Sequence, residues 1–235
     1  MKTLSILLQS LGVLWLSAAW AAAGIIINPY AFGVAEPAWI IKQGFEGTGY
    51  DNAETWTGTG SGTVDPDYTG LVLVGSQSLR LVSSTTTSST RVEFAGQSKF
   101  FCRWQMRLVS VGTGNQIIAT IRVTATVRAT LTIASGKLRV TSSGGTANDS
   151  ANNVPTGTDI YLWFEYESGT GSNAVTRAGW STDATKPTLS AGGATSCVSA
   201  NGTGTDNVTR LYLGHTGNTI WEQVIDEVRA LNTAF

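Results

Sequence analysis

The sequence predicts an all-β chain built as an antiparallel β-sandwich, with little helix outside its N-terminus, and three observations carry this. From Trp39 onward apolar residues recur with period two, not 3.6, the repeat of a strand with one buried face. The intervening stretches, such as GTGSGTVDPDYTG and SSGGTANDSANNVPTGTD, are rich in turn formers. The 235 residues are 42% hydrophobic and 13% charged, too apolar for a disordered chain and too weakly charged for a coiled coil.

The first element is the opening MKTLSILLQSLGVLWLSAAWAAAG. Lys2, an apolar run and a small-residue exit give residues 1–23 the pattern of a signal peptide, with an uncleaved apolar segment as the alternative. Secretion or cell-surface display follows from a signal. Residues 24–38 read as an extension and residues 39–235 as one domain, long enough for a sizeable core. Fifteen basic against sixteen acidic residues leave no basic excess for nucleic acid, so no nucleic-acid partner is expected.

Strands are expected at 78–83, 91–95, 100–109, 160–167, 175–180, 210–214 and 224–231. Between Ile117 and Ile133 every odd position is apolar, while the even positions from Thr120 to Thr132 are Thr or Arg. This reads as two consecutive strands bent near Ala125. Ser135-Gly136-Lys137 then turns the chain into a hairpin. About ten strands at this spacing describe a sandwich. Cys102 is in phase with Phe100, Trp104 and Met106 and points to the core. With Cys197 it forms either one disulfide or two separate buried thiols.

The order GFEGTGYDNAETW, GSQSLRL, TRLYLGHTGN and IDEVRALNTAF resembles that of laminin-G-like domains, members of the concanavalin A-like jelly-roll superfamily, over roughly residues 39–235. The resemblance implies a jelly-roll sandwich and is poor in activity, since this scaffold hosts lectins, hydrolases, lyases and structural domains. IIINPYAFG, residues 25–33, is similar to a segment near the start of some phage structural proteins.

Hydrolases of the superfamily carry a Glu-x-Asp-x-x-Glu strand, which is absent; Glu165 and Glu167 share a face without a third acid, and Glu93, Glu222 and Asp226 come no closer to it. A polysaccharide lyase needs a base, with Arg or Gln to neutralise a uronate. His215 is the one histidine, and Arg103, Gln105 and Arg107 share a face by parity, but the family's Gln-x-His motif is missing. The resemblance also implies a structural Ca2+, with Glu46 and Asp226 as carboxylates and Gly47, Gly49 and Asp51 as further oxygen donors. A turn acid capped by backbone amides is the alternative for Glu46.

For glycans, parity puts Tyr161, Trp163, Glu165 and Glu167 on one face of their strand. An exposed indole with polar groups at its rim suits sugar stacking; the alternative is that Trp163 packs under a loop. If strand 100–109 lies in the same sheet, Arg103, Gln105 and Arg107 supply hydrogen bonds, and the planar fork of Arg favours an anionic polysaccharide. The leading reading is a non-catalytic glycan-binding or adhesive domain of an exported protein, with an oligomer compatible with it. A bacteriophage virion or host-attachment protein is second, and a lyase or hydrolase third.

Overall fold

The computed structural model describes residues 36–50, 56–83, 87–112, 114–200, 204–215 and 221–235. The chain divides into Met1–Ala38 and Trp39–Phe235; the sandwich lies in the second. Among the described residues the helical content is one 3-10 turn, Gly171–Asn173. The strands are β1 (Ile41–Gln43), β2 (Trp56–Thr59), β3 (Thr63–Tyr68), β4 (Ser78–Ser83), β5 (Ser88–Gln97), β6 (Lys99–Val111), β7 (Asn115–Val123) and β8 (Thr126–Ala134). They continue with β9 (Lys137–Ser142), β10 (Asn148–Asn153), β11 (Asp159–Glu167), β12 (Val175–Ser181), β13 (Ser196–Ala200), β14 (Val208–His215) and β15 (Trp221–Leu231).

Two antiparallel sheets form a jelly-roll β-sandwich. One runs β13-β12-β11-β6-β15-β4-β3, with β1 also on β15; the other runs β10-β9-β8-β7-β14-β5-β2. The core between them follows the alternation of the sequence. Phe100, Cys102, Trp104, Met106 and Leu108 of β6 are buried in it, as are Ile160, Leu162, Phe164 and Tyr166 of β11. The intervening side chains of both strands stand on the outer face of the eight-stranded sheet.

The 117–133 run is a hairpin rather than a bend. Val123 pairs with Thr126 across Thr124-Ala125, and Thr124 has φ 50°. A two-residue turn alone would swap the parity of the second strand. A register shift between Ile121 and Arg122 sets Ile121 opposite Ala129, so both odd positions face the core. The next hairpin turns at Ser135-Gly136, where both φ values are positive at 52° and 83°, as a primed turn requires.

Cys102 and Cys197 are buried free thiols, which decides against the disulfide. Cys102 pairs with Phe164, Phe164 with Ala178 and Ala178 with Cys197. The two cysteines therefore stand in one row, three strand spacings apart, roughly 14 Å, against the Cα separation below about 7 Å that a bridge needs. Burial raises the pKa of Cys102 and pushes Cys197 up to about 12. The melting temperature should therefore be the same with and without reductant, and both thiols should react with a thiol reagent only after denaturation. A Tm lowered by reductant would contradict this placement.

Candidate functional site

The outer face of the eight-stranded sheet collects the polar residues of β6, β11 and β15. β6 lies between β11 and β15, so Arg103, Gln105 and Arg107 do share a sheet with Tyr161 and Trp163. The pairing is residue against residue: Asp159 with Arg107, Tyr161 with Gln105, and Trp163 with Arg103. Gln105 Nε2 donates to the Tyr161 hydroxyl across a long 3.4 Å. Arg107 Nε donates to Asp159 Oδ1 at 2.6 Å. Both Tyr161 and Gln105 are half-buried, within reach of a ligand lying on the sheet.

Trp163 is not an exposed plate. It is 1% exposed, although it lies outside the core between the sheets. Its partner in β12 is Gly179, and a Cβ there would stand 2.5 Å from Leu189 Cδ2 and 3.1 Å from Pro187 Cγ. Glycine thus lets the 182–195 segment lie down on this face beside the indole, and Lys186 of that segment pairs with Glu165. Trp163 lies in this covered part of the face, with Tyr161 tilted at 6.3 Å from it.

Toward one end of β11 the face is closed by charge. Arg177 pairs with Glu167 and lies 3.9 Å from Glu165; Lys99 lies 3.3 Å from Glu167. Burial works to raise Glu167, but the hydrogen bonds and charges of Arg177 and Lys99 outweigh it and hold the carboxyl below its usual range. A cavity of about 470 Å³ lies here, with the 232–234 tail on its wall. Both carboxylates are committed to cations, so they make no acid–nucleophile pair. Glu93 is paired with Arg210 at 3.1 Å, and Glu222 with Arg80 at 2.7 Å.

Glu46 and Asp226, the two carboxylates expected to hold calcium, both bond to the 73–78 loop. Asp226 is fully buried on the outer face, opposite Gln105. Four residues of β15, Asp226 to Arg229, stand against three of β6, Gln105 to Arg103, and Glu227 takes φ 50° at this bulge. Asp226 Oδ2 accepts from Ser78 Oγ at 2.8 Å and from the Val74 amide at 3.2 Å; Oδ1 accepts from the Glu227 amide. Exposed Glu46 accepts from the amide and hydroxyl of Ser76, while the Gly49 amide donates to Asp67. These oxygens face N–H and O–H donors, and among the described residues no three His, Cys, Asp or Glu side chains gather as a metal site. Gly47 is half-buried in the turn after Glu46. Asp51 and the His215 side chain lie outside the described residues.

No family model matches the chain, and no curated protein matches it. Solved structures do. The endo-β-1,4-glucuronan lyase of the fungus Trichoderma reesei is similar with TM-score 0.57 at 12% identity, over 83% of this chain and 96% of that one. Botulinum neurotoxin type C, whose cell entry depends upon interaction with two ganglioside molecules, gives 0.57 at 7% identity, over 84% and 49%. The binding domain of botulinum neurotoxin DC, in complex with rat synaptotagmin II, gives 0.56 at 8%, over 84% and 49%. The chain thus spans about half the length of the neurotoxin chains. At these identities the shared feature is the jelly-roll sandwich.

Two outcomes follow from this geometry. Trp163→Ala should cost about 3–5 kcal/mol of stability, as for a large buried aromatic, measured by denaturant unfolding; an unchanged midpoint would mean the indole is exposed. Burial pushes the Asp226 carboxyl from 3.8 up to about 7, and the hydrogen bonds from Ser78, Glu227 and Val74 offset only part of this. A raised acid binds its proton more tightly when folded, so its stabilisation is full below pH 4 and is lost as pH rises through 7. Asp226→Asn should flatten that part of the Tm-versus-pH curve and raise Tm at pH 8. If calcium held Asp226 ionised, chelator would lower the wild-type Tm at pH 8 and Asp226→Asn would remove that shift.

Proposed function

We propose that this chain is a non-catalytic glycan-binding domain of an exported or surface-displayed protein, and that it takes an acidic polysaccharide across the outer face of the eight-stranded sheet. The supporting observation is the row of Tyr161 and Gln105, adjacent and half-buried, flanked along β6 by Arg103 and Arg107. Sugar hydroxyls need paired donors and acceptors, which a phenol and an amide supply together. A uronate needs a cation, and arginine offers a planar fork to a carboxylate. Trp163, being buried, does not touch the ligand. The resemblance of the sequence to laminin-G-like domains is compatible with this reading. The virion alternative rests on residues 25–33, which lie outside the described residues.

A second reading, a uronate lyase, has one observation in its favour. The Tyr161 hydroxyl lies beside the Gln105 amide, which Arg103 and Arg107 flank along β6, a set that could move a proton while neutralising a carboxylate. An array of neutral and acidic glycans tests the first reading: acidic glycans should be retained, and Tyr161→Ala with Gln105→Ala should weaken retention tenfold or more. Loss of binding in neither variant would overturn the proposed face. An unsaturated product absorbing in the ultraviolet, abolished by Tyr161→Phe, would establish the lyase instead.

A further inference from the structure

Beyond the Tyr161–Gln105 row, the next row across the same face is basic. Arg103 of β6 stands opposite Arg229 of β15, and Arg229 opposite Lys42 of β1. Like charges directly opposite on neighbouring strands repel. Arg229 is compensated: Glu227 pairs with it at 2.5 Å and the Gln43 carbonyl accepts from its Nη1 at 2.9 Å. Lys42 is exposed. Among the described residues no carboxylate pairs with Arg103; its contact is the ring of Phe235, whose centroid lies 5.2 Å from Cζ. A cation over an aromatic face keeps its N–H edge directed sideways, available to fork a carboxylate.

That ring belongs to an aromatic pair at the surface. Phe235 is 37% exposed, and Trp39 is half-buried at 6.3 Å centroid separation and 33° between planes. Two adjoining rings beside an uncompensated guanidinium combine a flat apolar surface with a cation at its edge. A pyranose has the matching character, with an apolar C–H face and a charged group at its rim when it is a uronate.

We propose that Trp39 and Phe235 form the stacking shelf of this face and that Arg103 is its carboxylate subsite, together accepting one unit of an acidic saccharide. This rests on the glycan-binding reading and names residues outside the Tyr161–Gln105 row. It also assigns the stacking role to side chains that a ligand can reach, which Trp163 is not.

The test is calorimetric titration of the full chain with a β-1,4-linked glucuronate oligosaccharide and with its carboxyl-reduced counterpart, a cello-oligosaccharide. The wild type should bind the acidic probe at least tenfold more tightly. Arg103→Gln should erase that preference. Phe235→Ala should weaken the acidic probe about fivefold or more with an unchanged melting temperature, and Phe235→Trp should restore it. Wild-type affinity in both Arg103→Gln and Phe235→Ala, together with loss in Tyr161→Ala, would overturn the shelf and leave the broader reading standing. Loss in Phe235→Ala with none in Tyr161→Ala would support the shelf and move the site off the Tyr161–Gln105 row. Failure of the wild type to bind either probe would overturn the shelf and its subsite.

Discussion

The pairing of β6 between β11 and β15 is the constraint on which the rest depends. Strand side chains alternate with period two, so a single register decides two surfaces together. It sends Phe100, Cys102, Trp104, Met106 and Leu108 into the core and leaves Arg103, Gln105 and Arg107 outside. The same register sets Tyr161 against Gln105 and Arg229 against Arg103. A one-residue slip would bury three polar side chains and expose five apolar ones, and no local repair could offset that. The precision of the outer face is therefore inherited from the packing of the inner one.

That face is uneven by design of its covering segments. The 182–195 segment lies over Gly179 of β12, beside the buried Trp163. The ion pairs of Glu165 and Glu167 with Lys99, Arg177 and Lys186 close one end. The bulge at Asp226 lets β15 leave β4 and pair with β1 while its carboxylate anchors the 73–78 loop. What stays accessible is the strip from Tyr161 and Gln105 to Arg103, and among the described residues no carboxylate pairs with Arg103. A guanidinium without a carboxylate beside an aromatic pair distinguishes this strip from the ion-paired surface around it.

Much of this was legible in the sequence, for a definite reason. Parity is local, so the alternation of 100–109 and 160–167 already told which side chains shared a face. Strand adjacency is not local: nothing within β6 says that β11 and β15 are its neighbours. Trp163 has the parity of an exposed residue yet is buried, and its neighbour Gly179 is covered by Pro187 and Leu189, more than twenty positions away from Trp163 in the chain. Cys102 and Cys197 are core-facing and in one row, but Phe164 and Ala178 intervene. The odd-position run from Ile117 to Ile133 hid a hairpin because a bulge restored the parity that its two-residue turn reversed. Trp39 and Phe235 sit at opposite ends of the domain, and only the β1–β15 pairing brings them together.

Amide chemical shifts followed by NMR during titration with a β-1,4-linked glucuronate oligosaccharide test the outer face most directly. Shifts should concentrate in β6, β11 and β15, at Arg103, Gln105, Tyr161 and Arg229, and leave the seven-stranded sheet unperturbed. Shifts concentrated in β5, β7, β8 and β14 would place the ligand on the other sheet and contradict the proposed binding face.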